Sequence, residues 1–298
     1  MRNRRTRHLI AALLAGWVAF VVADVAFAQS LRSHVHGLAY TVDGRALLIA
    51  SHGGLVAYRD GQWRQAGDSA YDLIGLSVTK DAIYSSGHGP SDRPVGDPIG
   101  LVKSTDGGKS WQRLTLAGEA EFHLMDVSFG SGAIYVLNVA PNSQMPRPGV
   151  YFSRDDGKSW KRCTVAGLAP QIVRIAAHPL LPSTVAVATE SGIYISQDFG
   201  EAFHRIGPNV PVSAITFDVG GDHIFFALDD PYRLLRISRD GTATLALSLP
   251  ELEETEFVKF IAQHRSNLQQ LAIATRRKNV FLSDDGGTTW KLIMRYGP

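Results

Sequence analysis

The sequence predicts an all-β chain folded as a six-bladed β-propeller of four-stranded antiparallel blades. Two observations carry this expectation: a turn motif that returns six times at blade-sized intervals, and four short strand-like runs within each interval. The motif is clearest at Ser104-Thr105-Asp106-Gly107-Gly108-Lys109-Ser110-Trp111, at Ser153-Arg154-Asp155-Asp156-Gly157-Lys158-Ser159-Trp160 and at Ser283-Asp284-Asp285-Gly286-Gly287-Thr288-Thr289-Trp290. A weaker copy is Ser196-Gln197-Asp198-Phe199-Gly200-Glu201-Ala202-Phe203. Two eroded ones are Tyr58-Arg59-Asp60-Gly61-Gln62-Trp63 and Ser238-Arg239-Asp240-Gly241-Thr242. Their aspartates, at 60, 106, 155, 198, 240 and 285, stand 42 to 49 residues apart, the length of one four-stranded blade.

Taken in order, the chain opens with Arg2, Arg4, Arg5 and Arg7, an apolar run over 9–28, and Ala26-Phe27-Ala28 before Gln29. This is the pattern of a secretory signal peptide, so residues 1–28 are expected to be removed after Ala28. The mature chain, 29–298, is then a periplasmic or secreted single domain and a monomer, with no membrane span left. The apolar run is nearly long enough to serve as an uncleaved anchor, but Asp24 inside it and the small-residue site favour cleavage. Without 1–28 the chain holds 26 basic and 27 acidic residues, which excludes the basic stripe of a nucleic-acid binder. A single cysteine, Cys163, excludes an intrachain disulfide framework and a Cys-rich zinc site.

Each interval parses into four runs. In the third repeat they cover 123–129, 133–139, 149–154 and 160–165; in the sixth, 257–263, 270–275, 279–283 and 290–294. No helical period of ten residues or more interrupts them. The motif falls between the third and fourth strands, where Ser and Asp bond turn amides, Gly supplies positive φ, and the aromatic residue anchors the returning strand. The first repeat begins with its innermost strand near His34 and the last ends with its outermost near Met294, so the ring should close without exchanging a strand. Ser30–Arg32 could add a short pairing.

The pattern S-x-D-x-G-x-x-W resembles the Asp-box, or BNR repeat, of sialidase-like propellers. Similar repeats occur in sortilin-type receptors, some xyloglucanases and a class of photosystem II assembly factors; the overall likeness is to bacterial glycosyl-hydrolase-like BNR proteins. The resemblance implies the fold over the whole mature chain. It leaves function open, because the box is a structural clasp and propellers host unrelated activities.

Propeller ligands usually meet the face formed by loops entering the inner strand and loops joining the second and third strands. Aligning the repeats puts His52, His88, Asn138, Glu190, Asp229 and Arg276 at the second-to-third-strand loops, and His34, Asp72, His123, Gln171, Pro211 and Phe257 at the starts of the inner strands. Five histidines, His34, His36, His52, His88 and His123, thus gather in blades 1–3, and His34-Val35-His36 puts two imidazoles on one side of a strand. They could ligate zinc or copper without cysteine. They could equally line a glycan site with Asp72, Glu121, Asp126 and Glu190. Ligation should weaken as pH falls through about 6.5, where imidazole protonates. Two long Pro- and Gly-rich loops, 87–100 and 138–149, could wall a cleft there.

An active glycosidase would need two suitably spaced carboxyls, with candidates among Asp72, Glu119, Glu121, Glu190, Asp229 and Asp230. The arginine-bearing motif that sialidases carry in the first blade is missing, since Leu31-Arg32-Ser33-His34-Val35-His36 occupies that region. A scaffold resembling the assembly factors would use an arginine patch on a protein surface, for which Arg147, Arg154, Arg162 and Arg174 are scattered candidates. The expected partner is therefore a glycan, a metal ion or a protein surface, and no catalytic residue is singled out. The acidic stretch 250–256 reads as solvated surface.

Overall fold

The computed structural model describes residues 34–67, 70–90, 96–168 and 171–295. The signal-peptide segment, its cleavage site after Ala28 and the pairing suggested for Ser30–Arg32 lie outside the described residues. Twenty-four strands form six sheets of four, each antiparallel and in chain order. Blade 1 holds β1 (Val35–Tyr40), β2 (Leu47–Ser51), β3 (Gly54–Arg59) and β4 (Gln62–Gln65). Blade 2 holds β5 (Asp72–Val78), β6 (Ile83–His88), β7 (Leu101–Ser104) and β8 (Gln112–Thr115). Blade 3 follows with β9 (Met125–Val127), β10 (Ile134–Asn138), β11 (Gly149–Ser153) and β12 (Lys161–Arg162), and blade 4 with β13 (Ile172–Ala177), β14 (Val185–Thr189), β15 (Gly192–Ser196) and β16 (His204–Ile206). Blade 5 holds β17 (Val212–Phe217), β18 (His223–Asp229), β19 (Tyr232–Ser238) and β20 (Thr244–Leu247). Blade 6 ends the ring with β21 (Val258–Gln263), β22 (Leu271–Thr275), β23 (Val280–Ser283) and β24 (Lys291–Met294). No helix is present among the described residues, and none there is long and apolar enough to cross a membrane.

The first strand of every blade is innermost. β1, β5, β9, β13, β17 and β21 pack against one another in turn, and β21 returns to β1. Second strands such as β2, β14 and β22 are buried at every position, because both faces meet a neighbouring blade and an apolar run satisfies both. Fourth strands such as β4 and β12 are largely exposed. The core is therefore six slabs, not one nucleus. Separate clusters fill the interfaces between blades 1 and 2, 2 and 3, 3 and 4, 4 and 5, 5 and 6, and 6 and 1.

Among the described residues closure uses no exchanged strand, as the repeat phase predicts. The seam is fastened instead by side chains: the Trp63 indole N–H of blade 1 donates to the Ile293 carbonyl of blade 6 at 2.9 Å. Trp290 repeats the contact one blade earlier, donating to the Ser248 carbonyl at 2.9 Å. The motif tryptophans of blades 1 and 6 thus bond each to its predecessor, and Trp111, Trp160 and Phe203 pack into the clusters that blades 2, 3 and 4 share with theirs. Phe203 is buried, whereas Trp63, Trp111, Trp160 and Trp290 are only half-buried. The turns themselves follow the expected chemistry. In blade 3 Ser153 Oγ donates to Asp155 and accepts the Gly157 N–H, while Asp155 accepts from the Ser159 amide and hydroxyl. Blades 2 and 6 repeat this network.

Blade 3 is shorter than the sequence suggests, with an inner strand of three residues, Met125–Val127, where 123–129 was expected to pair. Its outermost strand is the two-residue Lys161–Arg162, paired to β11 only through Tyr151 and Phe152. One residue past each inner strand, a side chain accepts a hydrogen bond from within the turn to the second strand: Thr41, Thr79, Ser128, His178, Asp218 and His264. His178 and His264 accept two backbone N–H groups each on Nδ1, so both are structural residues at the end opposite the mouth.

Candidate functional site

The mouth lies where inner strands begin and second strands end. Five of the six inner strands carry a register shift there, leaving His36, Gly75, Val173, Ser213 and Lys259 unpaired between their neighbours. A bulge re-aims a side chain and interrupts strict alternation. Gly37 fits beside the first bulge because a Cβ there would sit 2.4 Å from Leu76 Cβ of the next blade. Close approach of β1 to β5 brings the histidines of blade 1 to Asp72 at the start of blade 2.

Three of the five predicted histidines meet. His34 Nδ1 lies 2.9 Å and His36 Nε2 3.3 Å from His52 Nε2, and the three ligand atoms fall within 4.8 Å of one another. Asp72 Oδ2 takes the other His52 nitrogen, Nδ1, at 2.7 Å. That bond fixes His52 Nε2 as a lone pair, and two further imidazole nitrogens converge on it. Tetrahedral zinc with nitrogens about 2.0–2.1 Å away needs them about 3.3–3.4 Å apart; the His36–His52 pair has that spacing at 3.3 Å and the His34–His52 pair is closer at 2.9 Å. A carboxylate behind a ligating imidazole is the usual support for such a site. Burial, then the neighbouring His52, holds His36 down at about 4. Burial followed by Lys278 lowers His34 as well. Both shifts favour the neutral imidazole, the form that ligates a metal.

His88 and His123 stand apart from this triad. His88 is flanked by Asp97 Oδ2 on Nδ1 at 3.0 Å and Glu121 Oε2 on Nε2 at 3.1 Å. The Asp97 hydrogen bond, against opposing burial, raises its pKa, with Glu121 adding to the effect. Both ring nitrogens of His88 are thus occupied by carboxylate oxygens, and neither joins the group formed by His34, His36 and His52. His123 Nε2 pairs with the other Glu121 oxygen at 2.6 Å. Sequence reasoning named Glu121 but missed Asp97; its place within the long loop 87–100 was the available signal.

The remaining candidates are dispersed. Glu190 is exposed after β14 and joins neither cluster among the described residues. Asp126 accepts from Ser77 Oγ at 2.7 Å, the Val127 amide at 2.8 Å and the Ala177 amide at 2.8 Å, stitching β5, β9 and β13 together. Burial outweighs those bonds and raises its pKa to about 6. Glu119 is occupied by the Ser143 amide and hydroxyl. With Gln144 bonded to Thr115, that pair seats the loop 138–149 on blade 2. Of the arginine candidates, Arg154 lies over Phe199, Arg162 bonds the Pro148 carbonyl next to Arg147, and Arg174 lies in the central channel. Within 250–256, Glu256 is not solvated: it is 1% exposed and accepts from Thr275, Asn279 and the Glu253 amide.

The fold is a six-bladed β-propeller whose turns carry Ser-Asp-Gly hydrogen-bond networks. The BNR/Asp-box repeat family matches residues 281–292, the last box and its flanking strands. No curated protein is similar enough in sequence to match. Among solved structures, the Niastella koreensis GH74 enzyme superposes with a TM-score of 0.60 at 15% identity, over 87% of this chain and 45% of that one. The GH74 xyloglucanase from Xanthomonas campestris gives 0.55 at 18% identity, over 87% and 45%. YCF48 bound to D1 peptide gives 0.51 at 16% identity, over 88% of this chain and 81% of that one. The chain thus spans less than half the length of either GH74 enzyme, and the likeness is one of fold.

Proposed function

We propose that this protein is an exported propeller that binds ligand at its histidine-rich mouth, with His34, His36 and His52 holding a zinc or copper ion. The carrying observation is three imidazole nitrogens within 4.8 Å of one another with Asp72 behind His52. Neutral imidazoles suit both metals, and a three-nitrogen set leaves a coordination position for a ligand. The GH74 and YCF48 likenesses bring no substrate to this chain. The carboxylates nearest the histidines are already engaged, Asp72 by His52 and Glu121 by His88 and His123, which disfavours a free acid/base pair for glycoside hydrolysis.

Elemental analysis of the purified protein and titration of the chelator-treated protein with zinc and copper test this reading. Stoichiometric binding is expected, abolished in His52→Ala and weakened about ten- to hundredfold in Asp72→Asn. Absence of metal binding by a folded wild-type protein would refute the metal centre. Glycan or protein binding would then lead.

A further inference from the structure

Behind the histidines, the central channel opens into a chamber of about 180 Å³ walled by residues of all six inner strands. At roughly 10–15 Å³ per water, it has room for on the order of ten waters or one small organic molecule. Two cations, Arg174 of blade 4 and Lys259 of blade 6, line it. Arg174 and Lys259 both sit over the Phe260 ring, 4.9 Å and 5.5 Å from its centroid. Neither has a carboxylate within ion-pair distance among the described residues. Arg174 is held by backbone alone, donating from Nη1 to the Val173 carbonyl at 2.7 Å and from Nε to the Lys259 carbonyl at 3.3 Å. Its Nη2 and the Lys259 ammonium make no hydrogen bond among the described residues. Lys259 is also a bulge residue, the counterpart in blade 6 of His36 in blade 1.

Like charges placed together away from water are costly unless something opposite joins them. Burial draws Arg174 down to about 10, and burial followed by the Arg174 charge lowers Lys259. Asp126 also reaches this chamber, but its oxygens are committed to Ser77, Val127 and Ala177. We propose that Arg174 and Lys259 form an oxyanion-binding site in this chamber, taking the carboxylate or phosphate of a small organic acid that enters through the histidine mouth. A guanidinium pre-oriented by backbone carbonyls and a mobile ammonium beside it are the donors such a group needs. The site deepens the reading of the mouth as a ligand site but does not require the metal.

Titration calorimetry with inorganic phosphate, succinate and neutral glycerol, at ionic strength fixed with chloride, tests it on both chelator-treated and zinc-loaded protein. Phosphate or succinate should bind both forms, and glycerol neither; which of the two binds tighter identifies the source of the oxyanion. Lys259→Met should weaken that binding about ten- to hundredfold, the loss of one charged hydrogen bond, while Lys259→Arg retains it. Mass-spectrometric acylation of the wild type reads the same site without a variant, since bound anion should protect Lys259. Undiminished binding in folded Lys259→Met, or no oxyanion binding and no protection, overturns the proposal. Zinc binding without anion binding would refute this site alone; anion binding without zinc binding would refute the metal centre alone.

Discussion

The ring seam offers the sharpest test of how this propeller holds together. Trp63→Phe keeps most of the ring packing but removes the indole N–H that reaches Ile293, 230 residues away. A neutral hydrogen bond contributes about 1 kcal/mol net, and leaving the part-buried carbonyl short of a partner adds about 1 kcal/mol more. The expected loss is about 2 kcal/mol. Trp290→Phe breaks a bond of the same 2.9 Å length, but to Ser248 of the neighbouring blade, 42 residues back. Urea denaturation should show both variants destabilised by a similar amount. Hydrogen exchange should separate them. With the hydrophobic cluster between blades 6 and 1 still in place, Trp63→Phe should speed exchange at the seam about thirtyfold, each 1.4 kcal/mol being a factor of ten. Peptides from β1, β2, β22 and β24 should report it, while blades 3 and 4 stay unchanged. Uniform acceleration around the ring, or none at the seam, would refute the idea that side chains fasten it.

Two other perturbations follow from buried carboxylates. Asp126 has a folded pKa near 6 against an ordinary 3.8, so the folded chain holds that proton more tightly than the unfolded one. Its stabilising contribution is complete below about 4 and is lost as pH rises through 6, by at most about 3 kcal/mol. Asp126→Asn should therefore be more destabilising at pH about 4.5 than at pH about 7.5 in paired urea titrations; the opposite trend would show the carboxylate to be ionised and stabilising. Glu256→Ala strands the buried Thr275 and Asn279 donors and should cost about 3–5 kcal/mol by the same denaturation assay; a loss under about 1 kcal/mol would mean that water replaces the carboxylate.

The fold was legible because its punctuation is local. A Ser, an Asp and a Gly at fixed offsets close the turns of blades 2, 3, 4 and 6 through bonds within five residues, and the eroded copies of blades 1 and 5 keep the spacing, so six repeats could be counted without knowing what packs on what. The mouth was legible at the level of columns, since His34, His52, Asp72 and His88 occupy strand ends that topology brings to one face. Its partition was not. Two-residue alternation predicts that His34 and His36 point together but says nothing of the bulge at His36. No spacing distinguishes His52, braced by one carboxylate, from His88, held between two. Asp126 lay in the right blade, yet its bonds run to Ser77 and Ala177, about fifty residues away on either side. Arg174 and Lys259 read as ordinary strand residues because their shared surroundings exist only once the ring has closed.

Because closure exchanges no strand, every blade is an uninterrupted stretch of sequence. Duplication, loss or replacement of a whole blade can therefore proceed by simple cuts in the gene at blade boundaries. The mouth does not divide along those cuts: the imidazoles come from blade 1, their supporting carboxylate from blade 2, and the channel cations from blades 4 and 6. Shuffling modules could preserve the architecture while dismantling its chemistry. In this chain the unit that evolution can copy is smaller than the unit that can bind.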